Sequence, residues 1–289
     1  MNNQENCWRQ LQNKKRIVIK VGSSTLTHKN TGNLNYEKLE KLVRAITNVK
    51  NSGKEVILVS SGAVAVGRET LKIGTKPKSM PEKQACAAIG QCKLMMNYYK
   101  LFSEYGKTAS QVLMTKYNIN HSKSYSNLKN AFLELLKYDS IPIVNENDAI
   151  ATDEIEFGEN DTLAALVSAI VDADLLIMLT DTDGLYTDDP FQNVNAKLID
   201  IVEEERENLI NIAKKTSDSD VGSGGMYTKV VAANLLKPLG IDMVITSGKN
   251  PDIINKITNG ENKGTLFISK KEITTDIREY LVSQIGGEK

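Results

Sequence analysis

Short apolar runs that alternate with helical segments constrain the fold of this chain more than any other feature. Each run is rich in branched aliphatic residues, and the segments between them keep apolar residues at helical spacing, as in the long stretch 82–105. Strands that alternate with helices favour a mostly parallel sheet with helices on both faces. We therefore predict an α/β three-layer sandwich. The predicted strands are 16–21, 55–59, 141–144, 175–179, 243–245 and 265–268.

Charge and composition are typical of a soluble globular protein. Basic and acidic residues balance at 36 each, which gives no support for a nucleic-acid or membrane-surface partner. The longest apolar region, 163–179, is interrupted by Asp172 and Asp174, so we expect no membrane span. Residues 1–15 lack the apolar centre of a signal peptide, and the three cysteines form neither a disulfide nor a zinc pattern. We expect a cytoplasmic protein.

Polar or glycine-containing turns directly follow four of the predicted strands. In a parallel sheet these turns meet at the carboxyl edge, where ligands of such sheets bind. We therefore expect one site built from several turns. The four turns are Lys20–Ser24, Ser60–Ala63, Asn145–Asp148 and Thr180–Pro190.

A fifth glycine-rich turn, 222–229, opens a predicted helix. Backbone N–H groups and the positive end of a helix dipole would collect there, and Lys229 lies in the first helical turn, which suits a phosphate. The order Thr228-Lys229 and the glycine spacing differ from a Walker A loop, and a plain helix start remains an alternative. The polar stretch 203–223 before it fits either a lid or a surface loop.

Two strand-end turns each admit a structural and a functional interpretation. Lys20 ends an apolar strand, and it either reaches solvent or faces an anion. Gly22, two residues later, permits a close backbone approach to a phosphate. Ser61 and Gly62 can cap a helix or bind substrate, and the two roles are compatible.

Acidic residues are concentrated in 146–161, where seven carboxylates occur. They form a solvated loop, or they hold an ammonium group, a Mg²⁺ ion or the two lysines. Asn160 or Asp161 can cap the helix that follows. Thr180 and Asp181 can contact a nucleotide or form an ordinary β-turn.

Residues of 82–105 and one nearby methionine are expected in the core because they are apolar or aromatic and lack a ligand pattern. They are Met95, Met96, Tyr98, Tyr99 and Met114.

Taken together, these segments resemble the amino acid kinase family, and within it the members that phosphorylate L-glutamate. The resemblance runs from about residue 15 to about residue 268. The Asn-Glu-Asn-Asp segment and the Ser-Gly-Ala segment with its Gly-Arg ending favour the glutamate-specific members. The motifs are Val18–Ser24, Val59–Arg68, Val144–Ala149, Phe157–Asp161, Leu179–Asp181 with Gly184–Thr187, and Gly224–Lys229.

The resemblance implies transfer of the γ-phosphoryl group of ATP to the γ-carboxylate of L-glutamate, with Mg²⁺ bridging the phosphates, as the first step of proline synthesis. It also implies a homo-oligomer, possible feedback inhibition by proline and delivery of product to glutamate-5-semialdehyde dehydrogenase. The implied divisions are an N-terminal extension (1–14), a substrate lobe (15–170), a nucleotide lobe (171–270) and a C-terminal tail (271–289). Many bacterial members carry a further C-terminal PUA domain, for which this chain ends too soon.

The resemblance also implies roles for individual residues. Lys20 and Lys229 would hold the phosphoryl group from two sides, with Asp161 fixing both lysines. Gly22 and Gly62 would offer backbone N–H groups, and Ser61, Asp148 and Asn160 would hold glutamate. ATP would be bound by Lys20, Thr180, Asp181, Ser223, Gly224, Gly225, Met226, Tyr227, Thr228 and Lys229.

Two rival functions remain open. Sibling kinases that act on acetylglutamate, aspartate, carbamate or uridylate share the fold and the lysines, but Asp148 suits a substrate with a free ammonium group. A nucleotide-binding protein without turnover would have little need for both Lys20 and Lys229.

Overall fold

A computed structural model describes residues 3–28, 31–74, 77–150, 160–190, 192–203, 209–210, 212–213, 225–273 and 276–286. Its strands are β1 (Arg16–Val21), β2 (Glu55–Ser60), β3 (Ala109–Met114), β4 (Ile141–Glu146), β5 (Leu175–Thr180), β6 (Ile201–Val202), β7 (Asp242–Ser247) and β8 (Thr265–Phe267). Its α-helices are α1 (Asn3–Gln10), α2 (Ser23–Leu26), α3 (Tyr36–Asn51), α4 (Ala63–Thr70), α5 (Met80–Glu104), α6 (Lys116–Asn120), α7 (Ser122–Lys137), α8 (Asn160–Ile170), α9 (Met226–Leu236), α10 (Ile253–Thr258) and α11 (Ile277–Ile285). Short 3₁₀ turns occupy Leu11–Asn13 and Lys237–Leu239.

The strands form one sheet in the order β3-β4-β2-β1-β5-β7-β8-β6. All neighbouring pairs are parallel except β7 and β8, which run antiparallel. The predicted, mostly parallel sheet is confirmed. The edge strand β3, which mixes polar with apolar residues, was not predicted, and neither was the two-residue edge strand β6.

Helices cover both faces of the sheet, so the predicted three-layer sandwich is also confirmed. Successive residues of β1 point to opposite faces. Ile17 and Ile19 enter the apolar core beneath α3, whereas Val18 enters the core formed with α8 and α9. The same alternation directs Lys20 toward α8 and α9, which determines where its ammonium group can lie.

The long helix α5 corrects part of the expected core. Its inner face buries Leu94, Tyr98 and Phe102, as helical spacing requires. Met96 and Tyr99 lie on the opposite face and are 66% and 64% exposed, so their assignment to the core was wrong. Spacing alone cannot tell which face of a helix meets the protein. Tyr98 and Met114 are buried as expected, and Met95 is half-buried.

Both ends of the described chain pack against the rest of the protein. Trp8 and Leu11 are buried in the core, and the Trp8 indole donates to Asp200 at 3.1 Å. Near the other end, Leu281 is buried and the Tyr280 hydroxyl donates to the carbonyl oxygen of Leu235. The boundaries after residues 14, 170 and 270 stay a prediction.

The helices of the described residues include none that combines the length and apolar character of a membrane span. None of the three cysteines is joined to another by a disulfide, and Cys86 is buried whereas Cys92 is exposed.

Candidate active site

The turns selected from the sequence do converge at the carboxyl edge of the sheet. β1 lies between β2 and β5 and pairs in register with both, so that Val21 is opposite Ser60 and Lys20 is opposite Met178. The ends of β2 and β4 therefore lie on one side of Lys20, and the end of β5 lies on the other. This arrangement separates the predicted substrate residues from Thr180 and Asp181.

Asp161 holds two lysines that come from different parts of the chain. Lys20 Nζ lies 2.6 Å from Asp161 Oδ1, and Lys229 Nζ lies 3.1 Å from Asp161 Oδ2. Asp161 belongs to the first turn of α8 and Lys229 to the first turn of α9. The Thr228 hydroxyl donates to Asp161 Oδ2 at 2.8 Å. We call Lys20, Asp161 and Lys229 the charge triad.

The charge triad is buried and carries one surplus positive charge. Lys20, Asp161 and Lys229 are 6%, 0% and 5% exposed. Burial raises the pKa of the Asp161 carboxyl, but the charges of Lys20 and Lys229 outweigh it and hold the pKa below its ordinary value. With Asp161 ionised, two ammonium groups face one carboxylate. Such a site favours an incoming anion, which would complete the charge balance.

Glycines keep the backbone accessible beside this charge. Gly62 has a φ of 111°, a left-handed conformation that favours glycine, and it caps the N-terminus of α4. A Cβ at Gly22 would lie 3.7 Å from Lys20 Nζ and would fill space beside the ammonium group. The predicted close approach of the backbone to a phosphate fits both positions.

A chain of amide hydrogen bonds connects the substrate side to α5. Asn160 Nδ2 donates to Ser61 Oγ at 2.8 Å and to Asn145 Oδ1 at 2.9 Å. Asn145 Nδ2 in turn donates to Gln91 Oε1 at 3.0 Å, and both of these side chains are buried. Asn145 belongs to one of the sequence motifs but was given no role there. Gln91 was not selected from the sequence because it lies within a helix rather than at a strand end.

A polar pocket of about 170 Å³ lies beside this chain of amides, and we call it the substrate pocket. It joins Ser61, Asp148 and Asn160, the three residues predicted to hold the substrate. It also contains Lys83 of α5, which the sequence did not single out. Four of the seven predicted carboxylates, Asp153, Glu154, Glu156 and Glu159, lie outside the described residues.

The predicted nucleotide residues occupy the other side of β1. Thr180 is buried, its hydroxyl donates to Asp181 Oδ1 at 3.0 Å, and its carbonyl oxygen accepts from Gly248 N. Gly225 is the N-cap of α9 and lies directly before Met226 and Tyr227. Met226 is buried in the core, so its backbone rather than its side chain is available to a ligand. Ser223 and Gly224 lie outside the described residues.

Comparison with known proteins places this geometry in a family. The sequence profile described as "Amino acid kinase family" matches residues 15–247. This chain belongs to the amino acid kinase family. The match includes all three residues of the charge triad and the whole of the substrate pocket.

The curated relatives of the chain include several proteins named glutamate 5-kinase. The protein from Caldanaerobacter subterraneus subsp. tengcongensis is 50% identical over 89% of this chain and 68% of its own length. The one from Clostridium acetobutylicum is 49% identical over 91% of this chain and 97% of its own length.

A solved structure with the same fold is the UMP kinase from Bacillus anthracis. It has a TM-score of 0.62 at 16% identity and covers 89% of this chain and 97% of the other. At that identity the likeness shows the fold alone, and it agrees with the three-layer architecture.

Proposed function

We propose that this protein is a glutamate 5-kinase, which transfers the γ-phosphoryl group of ATP to the γ-carboxylate of L-glutamate. The observation that carries the proposal is the charge triad beside a polar pocket that contains Asp148. The relatives that are about half identical over most of this chain support the same reaction.

Transfer to a carboxylate needs charge neutralisation and alignment rather than a general base. A glutamate carboxyl has a pKa of about 4.3, so it is ionised and nucleophilic near neutral pH. Lys20 and Lys229 would bind the equatorial oxygens of the phosphoryl group from two sides, and backbone N–H groups at Gly22 and Gly62 would add donors. Asp161 holds both ammonium groups in place before the nucleotide arrives.

The substrate pocket supplies the complementary groups for an amino acid. Ser61 and Asn160 are hydrogen-bonded to each other and lie in the same pocket as Asp148. We assign Asp148 to the substrate ammonium group because a carboxylate pairs with a cation. An acetylated substrate has no such cation, so Asp148 favours glutamate over acetylglutamate.

ATP would bind on the β5 side, through Thr180, Asp181 and the start of α9. We propose that Mg²⁺ arrives with ATP, because this ion is commonly held by substrate phosphates and retains its own water ligands. The described residues offer no cluster of three metal-ligating side chains that would form a separate site. When bound, Mg²⁺ would neutralise phosphate charge.

The remaining proposals concern where the protein acts, how it assembles, where its product goes and what inhibits it. We propose a cytoplasmic homo-oligomer whose acyl phosphate product, reactive toward water, passes to a glutamate-5-semialdehyde dehydrogenase. Proline is the proposed feedback inhibitor. The balanced charge of the chain, 36 basic against 36 acidic residues, favours no nucleic-acid partner.

The direct test offers Mg-ATP with L-glutamate, acetylglutamate, aspartate, bicarbonate plus ammonia, or UMP, with hydroxylamine present to trap acyl phosphate. Hydroxamate and ADP formed only with L-glutamate are the expected result. Turnover with another acceptor would contradict the substrate and keep the phosphoryl-transfer chemistry. ATP binding without turnover on any acceptor would favour the non-catalytic alternative.

A further inference from the structure

The proposed function leaves one charged group of the substrate without a partner. L-Glutamate carries an ammonium group, a reacting γ-carboxylate and an α-carboxylate. The proposed function pairs Asp148 with the first and places the second beside the charge triad, and it assigns Ser61 and Asn160 to no particular group of the substrate. A buried carboxylate needs a cation or several hydrogen-bond donors. No residue assigned so far serves the α-carboxylate.

Lys83 is the cation that the substrate pocket itself provides. It is half-buried and lines the pocket together with Ser61, Asp148 and Asn160. Among the described residues that line this pocket, it is the one with a positive charge. The pocket therefore contains two carboxylates, Asp148 and Glu146, and one ammonium group, Lys83. It offers both signs of charge that the ammonium group and the carboxylate of an α-amino acid need.

The position of Lys83 within its helix also favours a role in binding. α5 begins at Met80 after the N-cap Ser79, so Lys83 lies in or next to its first turn. A cation at that end opposes the helix dipole, which favours acidic residues there, as Glu82 illustrates. A residue that works against its local structure is expected mainly where function requires it.

Close helix packing fixes where this end of α5 lies. A Cβ added at Gly90 would come 1.7 Å from the carbonyl oxygen of Ala63, and one added at Gly67 would come 1.8 Å from that of Cys86. The backbones of α4 and α5 therefore touch, with no room for side chains at the crossing. Ala63 is the first residue of α4 and also lines the substrate pocket, so α5 cannot shift relative to the pocket without disrupting this contact.

We propose that Lys83 binds the α-carboxylate of the substrate and thereby selects for an α-amino acid with a free carboxylate. The inference rests on the proposed function and deepens it. Lys83 pairs with the carboxylate that does not react, and Asp148 pairs with the neighbouring ammonium group. Together they orient the substrate so that its γ-carboxylate points toward Lys20.

The test compares K83M, K83R and a control, K100M, which removes an exposed lysine from the same helix. We expect K83M to raise KM for L-glutamate about 10- to 100-fold, the effect of losing one charge-assisted contact, with KM for ATP and the melting temperature unchanged. K83R should recover much of the loss, and K100M should behave as the wild type. A KM for L-glutamate within twofold of wild type in K83M would overturn the proposal.

A second measurement separates binding from a merely structural role. 4-Aminobutyrate is glutamate without its α-carboxylate, so its inhibition constant against L-glutamate should be the same in wild type and K83M. Equal weakening of both ligands by K83M would assign Lys83 a structural role and contradict the proposal. Absence of glutamate-dependent hydroxamate in the wild type is a different outcome, because it would reject the proposed function itself.

Discussion

Two regions of this protein place a carboxylate between two lysines, and they differ in whether that carboxylate is buried or exposed. In the charge triad, Lys20 and Lys229 flank the fully buried Asp161 at the carboxyl edge of the sheet. At the amino edge, Lys50 lies 2.5 Å and Lys107 lies 3.8 Å from Asp139, whose side chain is 71% exposed.

The two groups of charges differ in how strongly solvent screens them. Around Asp139, solvent screens the charges, and the pair ties the end of α3 to the start of β4. Around Asp161, burial leaves little water to screen the two lysines, so their charges act more strongly on an anion. A buried lysine, such as Lys50, is therefore not a sufficient sign of catalysis. A buried carboxylate shared by two lysines beside a pocket is a stronger one.

Removing a lysine of the charge triad should have the largest effect. We expect K229M to lower kcat at least ~100-fold, since the proposed function makes Lys229 a preorganised charge on the transferring group. The hydroxamate assay under saturating L-glutamate and Mg-ATP measures this loss. Near-normal turnover in K229M would contradict the role of the triad.

Neutralising the shared carboxylate should affect folding as well as rate. Asp161→Asn leaves two buried ammonium groups without their counter-charge, and we expect the free energy of unfolding to fall by about 3 kcal/mol. Urea denaturation with circular dichroism measures the change. The matched variant Asp139→Asn should lower the same free energy by less, because it removes an exposed carboxylate and leaves one buried ammonium group, Lys50, rather than two.

The contribution of Asp161 to stability should also depend on pH. The pKa of Asp161 is lowered in the folded protein, so its stabilising effect is complete above its ordinary pKa of 3.8 and is lost as the pH falls through the lowered value. The difference in unfolding free energy between wild type and Asp161→Asn should therefore shrink below about pH 4. A difference that stays constant from pH 7 to pH 3 would contradict an ionised Asp161.

A smaller effect is expected where the amide chain meets α5. Gln91→Met removes the acceptor for Asn145 and should raise KM for L-glutamate about tenfold, because the orientation of Asn145 and Asn160 is loosened. Gln91→Glu keeps an acceptor and should recover only part of this loss, because burying its carboxylate costs free energy. Steady-state kinetics for both substrates distinguishes this from a general defect, which would raise KM for ATP as well.

The position of the candidate site at the edge of the sheet could be predicted from the sequence, whereas several side-chain contacts within it could not. Lys20, Ser61 and Thr180 could be selected because each ends or follows an apolar strand, and parallel strands bring such ends together. Lys83 and Gln91 lie within a helix, where the sequence shows no ligand pattern. Only the packing of α5 on α4 brings Lys83 to the substrate pocket and Gln91 to Asn145. The same limitation explains why Met96 and Tyr99 were wrongly assigned to the core.

Long-range pairs were not predictable either. Lys50 and Asp139 are 89 residues apart, and their contact depends on the strand order β4-β2-β1 rather than on any local pattern. The strand β3 escaped prediction because an edge strand needs no continuous apolar run.

The most direct test of the account compares Lys20→Met with Lys50→Met, two variants that each remove a buried lysine from a carboxylate. The initial rate of hydroxamate formation from L-glutamate and Mg-ATP is measured for both beside the wild type. The account predicts that Lys50→Met keeps the wild-type rate within about threefold and that Lys20→Met loses at least ~100-fold. Similar rates in the two variants would contradict the claim that the charge triad, and not buried lysine in general, carries out the phosphoryl transfer.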